Sequence, residues 1–139
     1  MFRKILVAND GSAGASSALG VAIELAGKLG CELGMICVEE IPRFAETIDE
    51  VEGESEAAGE RFVPVINQAK ERAARKGLSL NEHLVAGHPV ASIIEFLRAA
   101  DYDLLVLGFM GHSALYNRIV GSTTDRLVDH APCAVLVVK

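Results

Sequence analysis

Residues 5–12 read Ile5-Leu6-Val7-Ala8-Asn9-Asp10-Gly11-Ser12, a short apolar run followed at once by a cluster of turn-forming residues. Such a run is typical of a parallel strand that is covered on both faces. Over residues 15–29, apolar side chains recur at spacings of three and four, which predicts an amphipathic helix that ends at Gly30. The chain therefore begins with a strand, a turn and a helix.

The same alternation continues to the end of the sequence. Further strands are predicted at residues 33–38, 80–85, 104–107 and 134–138, and further helices at residues 57–76, 90–100 and 122–130. The strand at 104–107 is the most apolar and is predicted to be central, whereas Pro64 predicts a kink or a later start in the second helix. The pattern predicts an α/β fold, a doubly wound five-stranded parallel sheet with helices on both faces, as a single domain over residues 1–139.

Composition and charge exclude several classes of protein. Half of the residues are apolar and 23% are charged, which excludes a disordered chain. The net charge of −6 argues against general binding to nucleic acid or to an anionic membrane. No apolar run approaches the ~20 residues that span a bilayer, and the first one is too short for a signal peptide. We therefore expect a cytoplasmic protein.

Two other features are interpreted without assigning chemistry to them. Cys31, Cys37 and Cys133 show neither a C-x-x-C pair nor zinc-ligand spacing, so we expect buried, reduced thiols. Nine acidic residues and only one basic residue, Arg43, fall within residues 39–60. We interpret this stretch as a long, solvated acidic loop that leads into the second helix.

A glycine-punctuated loop follows the fourth predicted strand. It contains Gly108 and Gly111, then nine residues, then Gly121 and Ser122 at the start of a helix. Glycine lets the backbone approach a ligand closely, and the free amides at a helix start favour an anion such as phosphate. The alternative is structural: the glycines form a tight turn, and Ser122 with Asp125 forms a capping box.

The turn after the first strand could form the other wall of such a site, because ligands of doubly wound sheets bind beyond the carboxyl ends of the strands. Asp10 could accept hydrogen bonds from ribose hydroxyls or help to hold a hydrated magnesium ion. The alternative is that Asp10 or Ser12 only caps the first helix. Donors that could assist a phosphate, or could equally be solvated surface side chains, are His88, His112, Arg118 and Arg126.

The spacing Gly108-x2-Gly111-x9-Gly121-Ser122 resembles the ATP-binding signature of the universal stress protein family. Residues 5–12 resemble the family's opening strand and turn, and Gly87-His88-Pro89 resembles its Gly-x-Pro turn. Residues 103–108 resemble its fourth strand, and residues 130–138 resemble its closing segment. The resemblance covers essentially the whole chain. It departs at Phe109 and Met110, where the family frequently has small or polar residues.

The resemblance implies that an adenine nucleotide binds at the carboxyl edge of the sheet. We expect ATP with magnesium, although the sequence does not distinguish ATP from ADP or AMP. The resemblance places Ala8 and Asp10 near the adenosine, with Asn9 between them in the same loop and Asp10 toward the ribose or the metal. It places the backbone of Val38 against the adenine. The residues that it assigns to the phosphates are Gly108, Met110, Gly111, Gly121, Ser122 and Thr123. His112, a candidate donor from the charge argument, is expected in the same site. The resemblance also implies a homodimer that pairs through residues 134–138.

Other nucleotide and catalytic motifs are missing from the sequence. There is no lysine-bearing phosphate loop, no G-x-G-x-x-G after the first strand and no G-x-S-x-G elbow. Because no catalytic constellation is apparent, we expect an ATP-binding stress-response or signalling module with slow or no turnover and a protein partner that the sequence does not name. The alternatives are an ATPase, a phosphotransferase that modifies its own Ser122 or Thr123, and a nucleotide-free interaction module.

Overall fold

The computed structural model describes residues 1–40, 48–109 and 122–139, with the backbone alone for residues 48–58 and 122. Strands and helices alternate along the chain, as the sequence predicts. The elements are β1 (Lys4–Ala8), α1 (Ala13–Leu29), β2 (Glu32–Glu40), α2 (Ile48–Arg75), β3 (Leu80–Gly87), α3 (Pro89–Ala99), β4 (Leu104–Gly108), α4 (Ser122–His130) and β5 (Ala134–Val138).

The five strands form one parallel sheet in the order β3-β2-β1-β4-β5. This order confirms the doubly wound fold, in which the chain first winds outward from β1 and then returns to its other side. The prediction that residues 104–107 are central is wrong, because β1 occupies the middle and β4 lies beside it. Ile5, Leu6 and Val7 of β1 are completely buried. The winding direction reverses between β1 and β4, where ligands of such sheets bind.

Each face of the sheet has its own apolar core because side chains alternate along every strand. Helices α1 and α2 cover one face, where Val7, Met35 and Val106 pack. Helices α3 and α4 cover the other face, where Leu6, Ile36 and Leu105 pack. Among the described residues, no helix combines the length and the apolar character that crossing a membrane requires.

The acid-rich segment is a second part of the fold that the sequence predicted incorrectly. β2 continues to Glu40, and α2 begins at Ile48 rather than near Ala57, so residues 48–60 are helical and do not form a loop. Glutamate and alanine are strong helix formers, and this local preference outweighs the lack of an apolar period. Pro64 lies inside α2 at an exposed position and does not delay the start of the helix.

Two of the three predicted buried thiols are buried, at Cys31 and Cys37, and Cys133 is half-buried. All three are free of disulfide bonds. Burial raises the pKa of each thiol, and for Cys37 it does so to about 12, with a smaller contribution from the charge of Asp10. The thiols are therefore protonated at neutral pH and behave as small apolar core residues.

Candidate functional site

The turn after β1 brings two polar side chains to the carboxyl edge of the sheet. Asn9 is buried: its Nδ2 donates to Met35 Sδ at 3.4 Å, and its Oδ1 accepts from the Gly11 amide at 2.9 Å. Asp10 is exposed, and its Oδ1 accepts from the Ser12 amide at 3.0 Å. Asn9 thus holds the turn from its buried side, while the carboxylate of Asp10 faces solvent at the carboxyl edge of the sheet.

The helix cap that follows is formed by Ser12. Its hydroxyl accepts a hydrogen bond from the Ala15 amide at 3.2 Å, and its backbone is extended, as an N-cap requires. Of the two capping residues that the sequence allowed, the structure therefore selects Ser12. The side chain of Asp10 instead folds onto the backbone of the turn.

The end of β4 lies directly against the start of α1. A Cβ built on Gly108 would be 2.6 Å from the carbonyl carbon of Gly14 and 2.7 Å from its oxygen. Real Cβ atoms essentially never approach backbone so closely, so only glycine fits at this position. The first glycine of the G-x2-G spacing therefore has a packing role, whatever ligand the edge binds.

Helix α4 is attached to the same point. Thr124 is buried, and its hydroxyl donates to the carbonyl oxygen of Gly108 at 2.9 Å, whereas Thr123 is exposed. Sequence reasoning missed Thr124, because three adjacent hydroxyl residues, Ser122 to Thr124, open the helix and the sequence does not show which one turns inward. The N-termini of α1 and α4 thus converge at the end of β4, and their dipoles favour an anion there.

A further contact links this point to β5. The Phe109 amide donates to the Val138 carbonyl at 2.8 Å, which extends the pairing of β4 with β5 by one residue. The Nζ atom of Lys139 lies 5.5 Å from the centroid of the Phe109 ring, within the range of a cation–π interaction. The residue that departs from the family pattern therefore contacts a cation on the neighbouring strand end.

The second strand ends at the same edge. Val38 is half-buried beside Val85 of β3, and its side chain faces the layer of α3 and α4. The next residue, Glu39, is buried and faces α2, where a Cβ on Gly59 would lie 3.3 Å from its Oε1. Val38 thus lies near the carboxyl end of β2, and its backbone contact with the adenine stays a prediction.

Several predicted residues lie outside the part of the chain that the structure describes: Met110, Gly111, His112, Arg118, Gly121 and the side chain of Ser122. Of the remaining donors, His88 and Arg126 are exposed, and His88 occupies the N-cap of α3 without a capping side-chain bond. Within the described ranges, no three His, Cys, Asp or Glu side chains are grouped so as to hold a metal ion. The magnesium role of Asp10 stays a prediction.

A separate polar groove of about 460 Å³ lies near the opposite, amino end of the sheet. Its wall includes Tyr102, which covers Gly34, and His83, whose Nε2 is 3.4 Å from the Tyr102 hydroxyl. Burial lowers the pKa of His83, and the positive charge of Lys4 lowers it further. Lys4 Nζ lies 4.7 Å from the centroid of the Tyr102 ring and donates to the Ala100 carbonyl. The cluster packs the start of the sheet and shares no residue with the predicted nucleotide site.

Comparison with known proteins shows where this architecture belongs. The sequence pattern of the universal stress protein family matches residues 1–139. The chain belongs to the universal stress protein family. Among its relatives, universal stress protein YxiE of Bacillus subtilis is 30% identical over 151 residues, which covers 100% of both chains. The structure of universal stress protein UspA from Lactobacillus plantarum superposes with a TM-score of 0.90 at 28% identity, covering 99% of this chain and 98% of that one.

Some solved universal stress proteins contain adenine nucleotides. One is a complex with cAMP (TM-score 0.76, 23% identity, covering 99% of this chain and 97% of that one). A second, from Arabidopsis thaliana, has AMP bound (TM-score 0.70, 14% identity, covering 99% of this chain and 91% of that one). A third, from Archaeoglobus fulgidus, is in complex with dAMP (TM-score 0.65, 20% identity, covering 100% of this chain and 98% of that one). At these sequence identities, the three structures show only that this universal stress protein shares their fold.

Proposed function

We propose that this universal stress protein binds an adenine nucleotide, ATP with magnesium, at the carboxyl edge of its sheet and acts as a stress-response module with slow or no turnover. One observation carries the proposal: β4 ends at Gly108, where the N-termini of α1 and α4 converge. Two helix dipoles directed at one point favour a polyphosphate. The Gly108-x2-Gly111-x9-Gly121-Ser122 spacing and the nucleotide complexes of fold relatives support the same reading.

The proposed site divides into an adenosine part and a phosphate part. Ala8, Asn9 and Asp10 form the adenosine part with the backbone of Val38, and Asp10 also takes the ribose hydroxyls or the hydrated magnesium ion. Magnesium would neutralise phosphate charge when bound. The phosphate part consists of Gly108, Met110, Gly111, Gly121, Ser122 and Thr123, with His112 as a further donor.

Described residues of both parts support this assignment. The carboxylate of Asp10 is exposed at the edge, and the turn that carries it is held by the buried Asn9. Thr123, in the first turn of α4, is also exposed. An acceptor for hydroxyl groups and a helix start that favours anions therefore occur at the same edge of one sheet.

Isothermal titration calorimetry with Mg·ATP, together with a mass measurement of nucleotide that co-purifies, tests the proposal. We expect binding by the wild-type protein and at least tenfold weaker binding by Gly121→Val and Asp10→Asn. Asp129→Asn is the matched control, because Asp129 is exposed near the end of α4, far along the helix from its N-terminus. Absence of ATP binding by the wild-type protein, or equal losses in Asp10→Asn and Asp129→Asn, would refute the site.

Turnover is tested separately with labelled ATP in a single-turnover assay. We expect release of phosphate close to the uncatalysed rate and no labelled protein. Rapid release, or label on Ser122 or Thr123, would establish the ATPase or phosphotransferase alternative instead. A wild-type protein that binds no nucleotide would favour the interaction-module alternative.

We also propose that two copies pair through β5. This strand is the last in the sheet order, so one of its edges has no neighbouring strand within the described chain. Val135 to Val138 are half-buried, and an apolar strand edge of this kind can form hydrogen bonds with the same strand of a second copy. Sedimentation equilibrium should report a dimer for the wild-type protein and a monomer for Val137→Lys; a monomeric wild-type protein would contradict the assignment.

A further inference from the structure

The peptide group between Gly108 and Phe109 is hydrogen-bonded at both of its ends. Its N–H donates to the Val138 carbonyl at 2.8 Å, and its carbonyl oxygen accepts from the Thr124 hydroxyl at 2.9 Å. The peptide is trans, so it is planar and directs these two groups to opposite sides. The two bonds therefore fix its orientation, with the N–H toward β5 and the carbonyl oxygen toward the first turn of α4.

The same strand end also lies against the first turn of α1. A Cβ built on Gly108 would be 2.6 Å from the Gly14 carbonyl carbon and 3.0 Å from the Ala15 amide nitrogen. Gly108 thus contacts the first turns of both helices whose N-terminal dipoles favour an anion. A shift of α4 relative to Gly108 therefore changes the distance between the two helix starts.

Helix α4 is held against the sheet by two side chains that lie one turn apart. Leu127 is completely buried in the apolar core of the α3 and α4 face, and Thr124 is buried beside the end of β4. Residues three apart lie on the same face of a helix. Apolar packing at Leu127 has no preferred direction, whereas a hydrogen bond requires a narrow range of distance and angle. The bond of Thr124 therefore constrains how far the first turn of α4 lies from β4.

We propose that Thr124 is a positioning residue of the nucleotide site, and that its hydroxyl bond to the Gly108 carbonyl holds the first turn of α4 at the distance from β4 that phosphate binding requires. The first amides of a helix have no partner within the helix, and they bind an anion well only at about 3 Å. The inference depends on the proposed nucleotide site. It adds a residue that acts through the start of α4 and does not touch the ligand.

Isothermal titration calorimetry with Mg·ATP on full-length wild-type protein, Thr124→Val and Thr124→Ser tests the inference. Valine has nearly the shape of threonine but no hydroxyl, whereas serine keeps the hydroxyl. One hydrogen bond changes an equilibrium constant by up to about tenfold. We therefore expect Thr124→Val to bind Mg·ATP about tenfold more weakly, and Thr124→Ser to stay close to the wild-type affinity. Adenosine has no phosphate, so it should compete equally well for all three proteins.

Ser92→Ala is the matched control. Ser92 lies in the first turn of α3, and a Cβ on Gly87 at the end of β3 would be 2.6 Å from its Oγ. The control thus removes a hydroxyl from a similar helix start that lies beside β3, two strands away from β1. It should leave the affinity for Mg·ATP at the wild-type value. Urea denaturation of all four proteins separates changes in stability from changes in binding.

Thr124→Val with the wild-type affinity for Mg·ATP would overturn the role of Thr124 while leaving the nucleotide site in place. Equal losses of Mg·ATP affinity in Thr124→Val and Thr124→Ser would overturn it as well, because the hydroxyl would then not matter. A parallel loss of adenosine binding in Thr124→Val would also overturn it. If the wild-type protein binds neither Mg·ATP nor adenosine, the proposed nucleotide site and the role of Thr124 are both wrong.

Discussion

Replacing Gly108 with alanine tests the contact between the end of β4 and the start of α1. The new Cβ would lie 2.6 Å from the Gly14 carbonyl carbon, and both contacting groups belong to the backbone. No rotamer change relieves this overlap, so the first turn of α1 has to move away from the sheet. Overpacking a core costs about 1–3 kcal/mol, and we expect the upper end, about 3 kcal/mol, because no flexible side chain can absorb the strain.

Urea and thermal denaturation measure this effect directly. A loss of about 3 kcal/mol corresponds to a decrease in Tm of roughly 10 °C for a domain of this size. The urea m-value should stay unchanged, because the surface exposed on unfolding is nearly the same. ATP affinity should decrease as well, since the shift displaces the N-terminus of α1 from the proposed site.

Gly27→Ala is the matched control for the Gly108 variant. Gly27 lies in the interior of α1 and is exposed, and its Cβ would be 3.9 Å from Leu78 Cδ1, an ordinary contact. Replacing a helical glycine by alanine stabilises by about 0.5–1 kcal/mol. We therefore expect Gly108→Ala to lower the free energy of unfolding and Gly27→Ala to raise it. A Gly108→Ala variant as stable as the wild-type protein would show that the close approach to Gly14 is not a real constraint.

Three further predictions concern β2, β3 and the buried thiols. Gly34→Ala brings a Cβ against the Tyr102 hydroxyl and to 2.7 Å from its Cζ, so it should lower the free energy of unfolding by about 2 kcal/mol. In a double-mutant cycle, Tyr102→Ala should recover part of this loss. Additive effects of the two substitutions would contradict the contact. Burial lowers the pKa of His83, so as the pH decreases below about 6.5 the unfolded chain takes up a proton before the folded chain does, and the free energy of unfolding should fall. Denaturation curves should show a weaker pH dependence for His83→Gln than for the wild-type protein. Identical pH profiles for the two proteins would refute the role of His83. Burial raises the pKa of Cys37 to about 12, so a thiol reagent at pH 8 should modify it only in denaturant, and peptide mapping that finds rapid native modification would contradict this.

The fold could be predicted from the sequence where the local pattern and the tertiary structure agree. The last helix and strand have the predicted bounds, Ser122–His130 and Ala134–Val138, because Pro132 ends one and an apolar run defines the other. The start of α2 was missed because its acidic residues show no apolar period, although their helix propensity is high. The central place of β1 was missed because strand order depends on crossover connections and not on how apolar a strand is.

The candidate site was predictable to the extent that it follows from strand ends. Asp10 lies two residues after the end of β1, and Gly108 is the last residue of the neighbouring parallel strand β4. The fold class alone therefore predicts that both residues lie at the carboxyl edge of the sheet. Thr124 and Lys139 could not be found in this way. Their contacts with the end of β4 depend on which face of α4 turns inward and on the pairing of β5 with β4, and neither is encoded in local spacing.

Pro64 interrupts the backbone hydrogen bonding of helix α2. Proline has no N–H group, so the carbonyl of Glu60, four residues earlier, has no helical amide to accept from. The part after Pro64 is anchored to the sheet by Ala69 and Ala73, which are completely buried. Amide hydrogen exchange near Ala69 and Ala73 should therefore be slow and require global unfolding, although the helix lacks one of its own hydrogen bonds a turn earlier.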